Sequence, residues 1–127
     1  MQNAIVTTHL GASTREAEEN CAGMAANELM DYLENGNVNN SVNFGSVDLG
    51  RKGTGARICV FNRNVPKMIG RITSTISEAG LNIENMANKA SGDVAYMLIE
   101  LSEPSFDPAL VDKLNAIDGI IRVRAIQ

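Results

Sequence analysis

Apolar positions along the chain recur at two different spacings. Between residues 14 and 34, Ala17, Cys21, Met24, Ala25, Leu29 and Tyr32 follow the three-and-four spacing of one helix face, with Glu28 as the polar interruption. Ser13-Thr14-Arg15-Glu16 has the spacing of a capping box. Glu16, Glu18 and Glu19 place negative charge at the positive end of the helix dipole, and Asn35-Gly36 offers a left-handed stop. The pattern predicts one long helix over about 14–34. An Asn-rich stretch, 37–44, follows, and then a glycine-punctuated one, Gly50-Arg51-Lys52-Gly53-Thr54-Gly55. They read as a seam that divides the chain into residues 1–49 and 50–127.

Beyond the seam the period changes. Arg57 to Phe61 is a short apolar strand. Pro66 to Ala79 is a predicted helix with Pro66 in its first turn, where a missing N–H costs nothing, and Met68, Ile69, Ile72 and Ile76 on one side. Asn82 to Lys89 and Val94 to Leu101 are strands joined by the turn signal Ser91-Gly92-Asp93. Asp107-Pro108 opens a second helix, with Leu110, Val111, Leu114 and Ile117 as its stripe, and Ile121 to Ile126 is the last strand. The order β-α-β-β-α-β predicts an α+β fold, the ferredoxin-like sandwich: a four-stranded antiparallel sheet with two helices on one face, preceded here by one long helix. Strands one and three are apolar on both sides, so the second sheet face needs cover from the 14–34 helix or a partner chain. Met68, Met86 and Met97 read as core filler, and Arg122 and Arg124 as outward charges on an edge strand.

Composition excludes more than it assigns. The 127 residues are 44% hydrophobic and 20% charged, as in ordinary globular proteins. No apolar run approaches a membrane span. The net charge of −4 comes from the first 49 residues, where Arg15 stands against seven carboxylates; neither half is basic enough to track nucleic-acid phosphates. Aromatic residues are only 4%, too few for a base-stacking surface. Cys21 and Cys59 show no zinc spacing and read as reduced core residues of a cytoplasmic protein.

The run Thr8-His9-Leu10-Gly11-Ala12-Ser13-Thr14-Arg15-Glu16-Ala17 resembles the stretch of D-3-phosphoglycerate dehydrogenases that carries the catalytic histidine, with Thr8 where the family usually has Pro. The resemblance continues through Asp31-Tyr32-Leu33-Glu34-Asn35-Gly36 and Ser41-Val42-Asn43-Phe44. Residues 57–127 are similar to the ACT regulatory domain that ends many of these enzymes. It implies that His9 is a general acid/base in the complete, NAD-dependent enzyme, whose carboxylate and arginine partners lie outside this chain. Here His9 is expected to be an ordinary histidine and the chain alone non-catalytic. Gly50–Gly55 lacks the spacing and strand-to-helix setting of a dinucleotide turn, so no cofactor is expected to bind.

The same resemblance implies an amino-acid site at Asn62, Asn64, Val65, Pro66, Met68 and Ile69, completed by Asn82 and Ile83 of a neighbouring copy. A helix N-terminus suits a carboxylate, and Asn amides offer both a donor and an acceptor. The implied effector is L-serine, and the implied assembly a homodimer or larger homo-oligomer through sheet edges. The family member best known to bind serine carries His where this chain has Asn62. Asn64 reads equally as a plain helix cap and Asn82 as a turn residue. The rival readings are an assembly module with no effector, and an acyl-phosphate hydrolase built on Arg63 and Asn64 without the glycine-rich loop that such chemistry needs.

Overall fold

A computed structural model of the chain describes residues 3–8, 10, 11 and 13–127. The elements are α1 (Arg15–Asn35), β1 (Arg57–Arg63), α2 (Met68–Glu78), β2 (Ile83–Ser91), β3 (Val94–Leu101), α3 (Ala109–Asn115) and β4 (Ile120–Ile126). The strands form one antiparallel sheet in the order β2-β3-β1-β4. That topology is the ferredoxin-like sandwich, so the expected α+β fold holds. β2 and β4 are the edges.

The alternation within β1 and β3 sorts two cores. Ile58, Val60, Met97 and Ile99 face α2 and α3 and meet Ile72, Ile76, Leu110 and Leu114. Burying each of these side chains contributes about 1.5–3 kcal/mol. Cys59, Tyr96 and Leu98 face the other way, and what covers them is chiefly residues 32–49: Tyr32, Val38, Phe44, Val47 and Leu49. The Asn-rich stretch read as a seam is therefore a packed strap. Asn37 is buried and ties it down, donating to Asp31 and to the Gly50 carbonyl and accepting from the Leu49 N–H.

Most of α1 does not serve as the expected cover. It has no buried residue, and Met24, Leu29, Met30 and Leu33 are exposed. Only its last turn reaches the sheet. Cys21, expected in a core, is exposed on this helix, whereas Cys59 is buried. The capping residue is Thr14, whose hydroxyl accepts from the Ala17 N–H at 3.1 Å. With Ala17 three places on, the reciprocal glutamate of a capping box is missing, so the predicted box was one residue out of register.

Three further expectations change. α2 begins at Met68 rather than Pro66, because Lys67 adopts φ 68°, a left-handed conformation that a right-handed helix cannot contain. Met86 lies on edge strand β2 and is exposed rather than core. Arg124 turns inward: its guanidinium carbon sits 4.5 Å from the centre of the Tyr32 ring, and it donates to the Tyr32 and Leu33 carbonyls at the end of α1.

Candidate functional site

The β1–α2 loop is held by the turn across the sheet. The Asn64 N–H donates to the Asp93 carbonyl at 2.8 Å, and the Asn64 Nδ2 to the Gly92 carbonyl at 3.1 Å. Gly92 takes φ 63°, which lets the β2–β3 chain reverse in two residues. Asn64 is thus no helix cap; it fastens a loop to a hairpin. Beyond it, α2 starts with no side-chain cap at all. The N–H groups of Met68, Ile69 and Gly70 have no hydrogen-bond partner among the described residues.

Beside this uncapped start lies a cavity of about 270 Å³. Six of the predicted residues line it together: Asn62, Asn64, Val65, Pro66, Met68 and Ile69. Lys67, Gly70, Ala95 and Asn88 complete the wall. Asn88 went unnoticed in the sequence. Its signal was an asparagine inside a strand, where that residue is uncommon. Asn62 is only 3% exposed; its Nδ2 donates to the Arg63 carbonyl at 2.9 Å, and its Oδ1 has no donor.

Asn82 and Ile83 are not in this cavity. Asn82 donates to the Ser102 hydroxyl at 3.0 Å, and Ile83 pairs with Leu101. Asn64 comes one residue after Arg63, the register partner of Val94, at the other end of β3. Seven residues of strand separate the two ends, about 23 Å. One copy of the chain therefore does not bring the two asparagines together. His9 lies outside the described residues.

The walls are amides, methyl and methylene groups, and the ammonium of Lys67 is the one ionisable group among the described lining residues. Among the described lining residues, no second ionisable group stands beside it. The groups with displaced pKa values lie elsewhere. Burial pushes the Cys59 thiol up, and burial likewise raises the Tyr96 hydroxyl, which donates to the Gly36 carbonyl. The Gly50 N–H and the Asn39 amide hold the Asp48 carboxyl below its ordinary value.

A larger groove of about 520 Å³ runs between α1 and residues 37–44, walled by Ala25, Leu29, Tyr32, Phe44 and Phe61. The side-chain amides at its rim are engaged, Asn40 with Glu28 and Asn39 with Asp48. Gly50–Gly55 leads into β1 rather than from a strand into a helix, so these residues do not fit a dinucleotide. Among the described residues, no group of three His, Cys, Asp or Glu could hold a metal ion, and no helix is long and apolar enough to cross a membrane.

No protein-family model matches the chain. It is 32% identical over 124 residues to the D-3-phosphoglycerate dehydrogenase of Haemophilus influenzae and 30% identical over 125 residues to that of Escherichia coli. It is 29% identical over 133 residues to D-3-phosphoglycerate dehydrogenase 2 of Saccharomyces cerevisiae. The first two matches cover 98% of this chain and 30% of the relative, and the third 99% and 28%. The chain thus spans under a third of the length of these relatives. Among solved structures, the ACT domain of the GTP pyrophosphokinase of Chlorobium tepidum aligns with a TM-score of 0.46 at 22% identity, covering 56% of this chain and 95% of that one. The C-terminal domain of the Mycobacterium tuberculosis MgtC protein aligns with a TM-score of 0.47 at 18% identity, covering 61% and 90%. Over nearly its whole length, the chain thus matches by sequence a C-terminal region of D-3-phosphoglycerate dehydrogenases.

Proposed function

We propose that this chain is a regulatory unit of the ACT type, which binds a small amino acid, L-serine, and joins copies of itself through sheet edges. The observation that carries the reading is the amide-walled cavity at the uncapped start of α2. It lies beside β2, an edge strand exposed along most of its length. Free N–H groups at a helix start suit a carboxylate, and asparagine oxygens suit an ammonium.

In this reading, residues 50–127 are the regulatory domain and residues 1–49 approach it from the catalytic part of a dehydrogenase. Two copies pair along β2, so that Asn64 of one faces Asn82 and Ile83 of the other. A ligand touching both copies favours the paired state by its differential affinity and no further. In a complete dehydrogenase, a cytoplasmic enzyme in this reading, that pairing restrains the catalytic parts and gives feedback on serine formation. The NAD chemistry and any role of His9 as acid or base belong to that complete enzyme.

Millimolar L-serine should raise the melting temperature of the chain and shift its sedimentation towards the dimer. Asn64→Ala and Asn82→Ala should each reduce both effects. A dimer that forms equally with and without amino acids, with no thermal shift, would leave an assembly module and reject the effector.

A further inference from the structure

We infer that Asn35-Gly36 is a deamidation site gated by the docking of α1 on the sheet: closed while the last turn of the helix is captured, open when it lets go. Asn35 is the one asparagine of the chain that glycine follows. Glycine has no Cβ to crowd its nitrogen, so that nitrogen can approach the preceding side chain. Once its proton passes to water, the Gly36 nitrogen attacks Cγ of Asn35. The new C–N bond closes a five-membered imide, and Nδ2 leaves as ammonia. Water then opens the ring at one carbonyl or the other. The product is an aspartate at position 35, or its isomer with the backbone running through the side chain.

The docked conformation withholds the atoms that this reaction needs. The Gly36 N–H donates to the Tyr32 carbonyl at 2.9 Å. The Asn35 Nδ2 donates to Asp31 Oδ1 at 2.8 Å, and the Asn35 Oδ1 accepts from the Lys52 N–H at 2.7 Å. The main-chain carbonyls of Asn35 and Gly36 accept from Arg57 and from the Tyr96 hydroxyl, and Gly36 is buried. Little else restrains the helix. α1 has no buried residue of its own, and helix ends open more readily than core strands.

Deamidation makes such an opening permanent. A carboxylate at position 35 cannot donate to Asp31, and the two negative charges repel. The product chain therefore no longer docks the end of α1 as the amide form does.

Mass spectrometry of the Asn35 peptide and hydrogen exchange at the Gly36 N–H, on the full chain aged at mildly alkaline pH, test this. One opening frees both groups, so both rates should rise by the same factor. That rise should appear in the wild type at low urea, and in Arg124→Met, which removes the donor to the Tyr32 and Leu33 carbonyls. The N–H groups of β3 should stay protected meanwhile. The native wild type should deamidate at least about tenfold more slowly than a free peptide of residues 31–40. Asn35→Asp should speed exchange at Gly36 at least about fivefold. The gate is overturned if the native chain deamidates as fast as the peptide, or if Gly36 exchange rises without deamidation. It is equally overturned if β3 must open at the same time. An Asn35→Asp chain that protects Gly36 as the wild type does would overturn the permanent opening.

Discussion

Arg57, the first residue of β1, and Glu100, its register partner on β3, form an ion pair 2.7 Å apart that solvent barely reaches on the arginine side. The other guanidinium bonds go to backbone: the carbonyls of Asn35, Leu49, Gly50 and Arg51, at 2.8–3.2 Å. One buried cation thus gathers the end of α1, the strap and the sheet. A charge buried this deeply is tolerated because every donor is engaged.

Removing that cation should be costly. Arg57→Met is expected to lower the unfolding free energy by about 3–5 kcal/mol in urea titration, since it strands Glu100 and four carbonyls. Arg57→Lys should recover little, because an ammonium has three donors and no planar fork. Glu100→Gln keeps a hydrogen-bond acceptor on a partly exposed side chain and should cost less. A urea midpoint for Arg57→Met equal to the wild type would show that the strap is not held this way.

Gly36 offers a second, sharper contrast. It closes α1 at φ 78°, and a Cβ there would lie 2.8 Å from both Cys59 Sγ and Leu98 Cδ1. Gly36→Ala therefore combines left-handed strain with overpacking and should destabilise by about 2–4 kcal/mol. Gly23 lies inside the same helix with open space around it. Gly23→Ala should instead stabilise the helix by up to about 1 kcal/mol. Thermal melts of the two variants should move in opposite directions.

The two cysteines should separate by reactivity. Alkylation needs the thiolate, and burial both raises the pKa of Cys59 and shields it. At mildly alkaline pH, iodoacetamide should label the exposed Cys21 within minutes and leave Cys59 unlabelled until denaturant is added. Raising the pH within the native range should leave Cys59 unlabelled. Mass spectrometry of the peptides reads both sites, and equal labelling in the native protein would contradict the covered sheet face.

The sandwich itself was legible because its strands are short, apolar and bounded by turn residues; β3 was predicted residue for residue. What escaped prediction has particular causes. Lys67 in a left-handed conformation has no sequence signature, so Pro66 was read as the first turn of α2. Val38, Phe44, Val47 and Leu49 pack on the sheet from an irregular loop, and loops leave no period to read. The need for a cover was visible in the doubly apolar strands, but its identity was not. Arg57 was placed only as the first residue of an apolar strand, since nothing local tells a cation that carbonyls await it across the fold. At the candidate site, the cluster from Asn62 to Ile69 follows from one contiguous loop. Asn88 comes from another strand and needed the fold to bring it there. Asn82 is the reverse case, close in the resemblance and far away within one copy.

Carbonyl capture by Arg57, Arg124 and Tyr96 fixes only the last turn of α1, and the remaining turns stand away from the sheet. A rod of 21 residues is about 31 Å long. Pivoting it by about 10° at its anchored foot would swing the tip by roughly 5 Å, the rise of a whole helical turn. Small adjustments within the sandwich would thus be magnified at the far end of α1.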